Sequence, residues 1–170
     1  KLYYILMYYL ININISNKEP NCYVNFDFKY IFLGNTINNR ILENGKFTRI
    51  YYSTPLCSFN GIFILLYIDD IIESNCNNSF NNKLMINVEK NCVILNSIKQ
   101  LEEKILRVVE IKNKLLTCNI YNELMKGFLK INYKNNLHKS KIMLKISGIW
   151  ETEDSYGLSY KYYYLKEQKI

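Results

Sequence analysis

Apolar and polar residues alternate with a period of two along several stretches of the chain, and along one stretch they recur with a period near 3.6. Ile11-Asn12-Ile13-Asn14-Ile15 alternates strictly and predicts a half-buried strand. Beyond the breaker segment Ser16 to Asn21, the run Cys22 to Leu33 is rich in Tyr, Val, Phe and Ile and predicts a second extended element. Asn38-Asn39 and Asn44-Gly45 mark turns. Phe47 to Ser53 predicts a strand, Pro55 interrupts it, Asn60-Gly61 marks a turn, and Ile62 to Ile68 predicts a buried strand that pairs with the first. An Asn-rich loop, Ser74 to Asn82, leads to a short strand over Leu84 to Val88.

The helical period belongs to Val93 to Leu116, where Ile94, Ile98, Leu101, Ile105, Val108, Val109, Leu115 and Leu116 recur largely at three- and four-residue spacing. A shorter helix is predicted for Tyr121 to Lys126, stopped by Gly127, and Phe128 to Tyr133 resumes an extended pattern. Ile142, Leu144 and Ile146 share one face of the next strand, and Lys141, Met143, Lys145 and Ser147 share the other. The last strand runs from Tyr156 to Leu165, and the acidic turn Glu151 to Ser155 makes a hairpin of the two.

Three strands, a long helix and two more strands is the element order of the five-stranded OB barrel, although the same order also suits an α+β sheet with the helix on one face. The expected fold is therefore mainly β with one long helix (α+β), an OB-like barrel over residues 46–170 preceded by a β extension over residues 1–45. At 170 residues the chain has the length of one compact unit.

Composition changes this picture in one respect. Asn, Ile, Lys and Tyr make up 83 of the 170 residues and alanine is absent, which points to an A/T-rich gene and accounts for some of the lysine and tyrosine without function. The net charge of +7 is nevertheless uneven: residues 101–170 carry +5 and residues 61–100 carry −1. A basic C-terminal part attracts polyanions. The five cysteines lie at least 16 residues apart and form no C-x-x-C, and the single His138 cannot complete a zinc site with them, so reduced thiols inside a cell are expected. Leu2 to Ile11 is apolar but too short to span a bilayer; the chain opens on Lys1, and a signal-peptide remnant is a competing reading.

The segment Ser147 to Lys161, S-G-I-W-E-T-x-x-x-Y-G-L-x-Y-K, resembles the C-terminal hairpin of single-stranded-DNA-binding proteins encoded by large double-stranded DNA viruses and related integrated elements. Tyr52-Ser53 with Asn60-Gly61-Ile62 resembles the first strand pair of that group. The resemblance covers about residues 46–165 and implies an OB-type fold, coating of single strands and a role in viral-type DNA replication or recombination. It implies an intracellular site, the host nucleus or a viral replication site, and as partners single-stranded DNA or RNA, replication proteins and further copies of the chain. No membrane, cofactor or metal is expected.

Binding a single strand without sequence preference needs cations for phosphates and flat side chains for stacking. Lys145 and Lys161 lie on the non-apolar face of the hairpin, with Ser159 and Tyr163, and Lys141 joins them. Lys46, Arg49 and Tyr51, assigned to one face of the first strand, form a second group. Trp150 has two readings: strict alternation places it on the core side with Ile146, whereas a bulge at Gly148 turns it outward. The run Lys126 to Lys145 contains six lysines and no carboxylate, with Phe128 and Tyr133 among them.

A polymerase is the sharpest rival. Leu65 to Ile72, L-L-Y-I-D-D-I-I, resembles the Y-x-D-D loop of retroelement reverse transcriptases, whose paired aspartates bind catalytic magnesium, and Asp27 to Gly34 resembles the strand that carries their third carboxylate. Only 41 residues lie between Asp27 and Asp69, and no nucleotide-pocket segment is visible among them. No P-loop, H-E-x-x-H or G-x-S-x-G occurs, so no enzyme is expected. Glu151, Glu153 and Asp154 read as a solvated turn. A structural or secreted interaction protein is the third class.

Overall fold

The longest alternating stretch of the sequence becomes the axis of the sheet. In the computed structural model, which describes residues 13–16, 18, 26–39, 44–73, 82–109, 111–131 and 141–165, β10 (Lys141–Glu151) and β11 (Ser155–Leu165) form an antiparallel hairpin. Ile142, Leu144 and Ile146 of β10 are buried, as the period of two requires, and Tyr162 packs beside them from β11.

Around this hairpin the other strands are β1 (Ile13–Ser16), β2 (Ile31–Asn38), β3 (Lys46–Ser53), β4 (Ser58–Phe59), β5 (Ile62–Tyr67), β6 (Ile71–Glu73), β7 (Asn82–Ile86), β8 (Leu115–Thr117) and β9 (Phe128–Ile131). The sheet is mixed and runs β1-β5-β10-β11-β9-β7-β6, with β3 also on β10, β2 and β4 on β3, and β8 on β11. Mainly β with one long helix is thus the observed class. The sheet is open: among the described residues its end strands β1 and β6 do not pair with each other. The described strands of residues 1–45, β1 and β2, belong to this same sheet.

Two expectations are corrected here. β3 and β5 do not pair with each other. They lie end to end along one edge of β10, Lys46 to Arg49 opposite Glu151 to Gly148 and Ile62 to Tyr67 opposite Ile146 to Lys141. Residues 50–61 leave that edge, and Tyr52 and Ser53 fold back onto β4. β10 offers a longer apolar ladder than either strand offers the other, and Gly61, at φ +118°, makes the return step that a side chain would block: a Cβ there would lie 2.4 Å from the Ile146 carbonyl oxygen.

Helix α1 (Cys92–Val109) is the second correction, ending well before Leu116. Asn113 adopts φ +62°, a left-handed turn that asparagine tolerates, and Leu115 and Leu116 then enter β8. Ile94, Leu95, Ile98, Leu101, Ile105 and Leu106 form the buried stripe of α1, each worth about 1.5–3 kcal/mol of burial. Glu102 on the same side is also buried, and its carboxylate accepts the backbone N–H groups of Ile120 (3.0 Å) and Tyr121 (3.1 Å), capping α2 (Asn119–Leu124). Asn119 is in turn pinned to β11, its amide donating to the Leu158 carbonyl (2.9 Å) and accepting the Leu158 N–H (3.2 Å). Helices and hairpin are therefore one packed unit around a shared core.

The remaining elements differ by shifts. A 3-10 turn over Phe28–Tyr30 precedes β2, which runs on to Asn38. The strand expected at Leu84 to Val88 forms two residues earlier as β7, and the short helix likewise starts at Asn119. Gly127 ends that segment at φ +77° as expected. Residues 22–25 and 74–81 lie outside the described residues.

Candidate nucleic-acid interface

Because Ile142, Leu144 and Ile146 point into the core, Met143, Lys145 and Ser147 occupy the opposite, outward face of β10. The register then slips by one residue between Ile146 and Gly148, so that Ile149 becomes the next core residue and Gly148 and Trp150 turn outward. Trp150 is half-buried on that face, not on the core side that strict alternation assigns to it. Its ring lies over Gly157, where a Cβ would come within 2.6 Å of Cζ2. The Phe47 ring lies over Gly148 in the same way, 2.4 Å from where a Cβ would stand.

The outward face is ordered in rows across the strands. Phe47, Trp150 and Gly157 make the first row, with Ile37 of β2 beyond Phe47. Arg49, Gly148 and Ser159 make the second. Phe63, Lys145 and Lys161 make the third, and Leu65, Met143 and Tyr163 the fourth. Two cationic rows are thus flanked by two rows carrying rings.

The cations crowd one another. Lys145 and Lys161 are direct cross-strand partners, and the Lys145 ammonium sits 5.2 Å from the centre of the Phe63 ring. Arg49 donates from Nη1 to Asn60 Oδ1 at 3.1 Å. Partial burial holds the Lys145 pKa below the usual lysine range, and the charges of Arg49 and Lys161 lower it further. Among the described residues none of the three forms an ion pair with a carboxylate. Like charges placed this close repel one another, and a bound anion would relieve that repulsion.

Of the residues expected at the site, Arg49, Lys145, Lys161, Trp150 and Tyr163 are brought onto this face, and Tyr51 extends it along β3 toward Phe32. Lys141 pairs with Tyr67 and Leu165 at its far end. Lys46 does not belong. It is three residues from Arg49, an odd step in a strand, and its register opposite Glu151 places it on the reverse face. In the lysine-rich run, residues 132–140, with Tyr133, Lys134, His138 and Lys139, lie outside the described residues. Lys130 lies 3.8 Å from Glu123.

Phe47, Phe63, Phe32 and Ile37 were not singled out by the sequence. Phe47 stands two residues from Arg49 and was open to the same alternation. Phe63 needed the register with Lys145. Phe32 and Ile37 differ in parity and share a face only because β2 holds one extra residue between Leu33 and Thr36.

The acidic rival site is built differently. Asp69 and Asp70 form the tight turn between β5 and β6, Asp70 at φ +51°. The Asp70 carboxylate is paired with Lys90, and Asn91 holds the turn by accepting the Asp69 N–H (2.9 Å) and donating to the Asp69 carbonyl (2.8 Å). Asp27 pairs with Lys29 at 2.7 Å. Among the described residues no group of three His, Cys, Asp or Glu side chains is placed to hold a metal ion. Glu151 pairs with Lys114 at 2.8 Å, a tie between the hairpin and the α1–β8 connection.

No family model matches the chain, and no curated protein or solved structure matches it.

Proposed function

We propose that this chain is a non-enzymatic protein that binds single-stranded nucleic acid on the outward face of β3, β5, β10 and β11. The observation that carries the reading is the cluster Arg49, Lys145 and Lys161, which forms no ion pair with a carboxylate among the described residues and is lined on both sides by ring-bearing rows. Cations on such a face take phosphates, and exposed rings take unstacked bases at about 1–3 kcal/mol each. A duplex hides its base faces and gains only the charge.

The likeness of Ser147 to Lys161 to the hairpin of virus-type single-stranded-DNA-binding proteins supports the same reading, and with it a role in coating strands during replication or recombination. We read the strand-helix-strand order as an OB-like arrangement opened and extended by β1, β2 and the β6–β7 pair.

Titration with oligo-dT, followed by Trp150 fluorescence at low and high salt, tests this. Binding that weakens with salt at a slope of about 0.7 per phosphate contact in log–log form is expected. Absence of binding at low salt, or equal affinity for duplex, overturns the reading.

A further inference from the structure

The rows of the outward face set a frame for the strand they hold. Along β11, the row positions Gly157, Ser159, Lys161 and Tyr163 recur every two residues, about 6.6 Å apart, while β10 takes up its extra residue in the bulge before Gly148. Across the hairpin, Lys145 and Lys161 stand much closer, at about the 5 Å of a direct cross-strand pair. Two lysines that close serve one phosphate. Successive phosphates must therefore be met by successive rows, Arg49 and then the lysine pair, which lie one after the other along β10.

The rings obey the same direction. Trp150 and Phe47 lie in the row before Arg49, and Tyr163 in the row after the lysines, itself 40% exposed. Rings of this kind flank the cations along the strands, whereas across the third row, among the described residues, the cations are bounded by a ring only at Phe63. From Trp150 to Met143 is seven residues with one bulge, roughly 20 Å at about 3.3 Å per residue.

We propose, building on the single-strand reading above, that the nucleic acid runs along β10 with one nucleotide per row, so that one molecule holds about four nucleotides, the low end of what single-strand modules cover. The terminal bases of that span stack on Trp150 with Phe47 and on Tyr163. The phosphates between them meet Arg49 and the Lys145–Lys161 pair. Gly148 and Gly157 allow the first-row rings to lie flat against the sheet, and so keep that row level with the others.

A length series separates this from the broader reading. Fluorescence anisotropy of labelled oligo-dT of two to eight nucleotides at low salt is expected to show affinity climbing about fivefold or more with each nucleotide up to about four. Beyond that it rises only in proportion to the number of positions at which the strand can sit. Tyr163→Ala, at an exposed position, shortens the climb by one nucleotide. Lys145→Gln lowers affinity at every length of four or more and leaves the break where it is. A climb that continues steeply to eight, or stops at two, overturns the one-per-row frame while leaving single-strand binding intact. Failure of every length to bind overturns the single-strand reading itself.

Discussion

Lys145 and Lys161 face each other directly across the β10–β11 ladder, on the side turned away from the core. Like charges in that relationship destabilise a hairpin, by a few tenths to about 1 kcal/mol. Lys145→Met is therefore expected to raise the urea midpoint of the free protein while weakening its hold on single strands. Added salt should act in the same two directions on the wild type, screening the repulsion and competing for the phosphate site. Urea melts at low and high salt, beside binding curves at the same salts, check both halves.

Glu102 makes folding depend on pH. Burial pushes its carboxyl up to about 7, against the N–H groups of Ile120 and Tyr121, which favour the charged form. A carboxyl raised in the folded state contributes its full stability below its ordinary value near 4.5, and that contribution is lost as pH rises through about 7. The loss amounts to about 3 kcal/mol at most. Glu102→Gln should flatten this part of the profile, which urea unfolding at intervals between pH 4.5 and 8 measures as the difference between variant and wild type. A difference that does not change with pH tells against a titrating Glu102.

Gly157→Ala should cost about 1–3 kcal/mol, because the new methyl would meet Trp150 at 2.6 Å and the Thr117 carbonyl at 2.9 Å. The ring must lift, so Trp150 emission should shift in the folded variant. Thermal melts and emission spectra together report it; an unchanged spectrum would show that the ring does not lie where described.

Asn91 and Asp70 occupy the same turn and should differ sharply. Asn91 is fully buried and satisfies three backbone groups, of Asp69 and Asn87, so Asn91→Ala is expected to cost about 1–3 kcal/mol or more. Asp70→Asn removes only a solvent-exposed pair with Lys90, screened by water, and should leave the urea midpoint nearly unchanged. Neither variant is expected to alter single-strand binding. Incorporation of nucleotides with magnesium, abolished by Asp69→Asn, would instead promote a polymerase.

Legibility followed how local each relationship is. The hairpin was readable because alternation over ten residues leaves one register that buries Ile142, Leu144 and Ile146. The neighbours of that hairpin were not, since β3 and β5 are each a plausible partner of the other, and only the three-dimensional competition for β10 decides against it. Single-residue shifts hid the rest. The slip after Ile146 sends Trp150 outward, the extra residue in β2 brings Phe32 and Ile37 to one face, and the helix whose apolar spacing runs on to Leu116 in the sequence stops at Val109, before the left-handed turn at Asn113. Lys46 was misassigned for a simpler reason, a count of three where alternation demands an even number.

The excursion of residues 50–61 leaves the β10 edge after Arg49, opposite Gly148, and rejoins it at Ile62, opposite Ile146, the next paired position on β10. The rows on either side of it are fixed by β10 and not by the length of chain between them. Residues added at its tip, where Leu56 is 94% exposed, leave Arg49 in place beside Lys145. The fold thus contains its own port for grafting: a tag, dye or recruiting peptide spliced beside Leu56 would leave the spacing of the outward rows untouched.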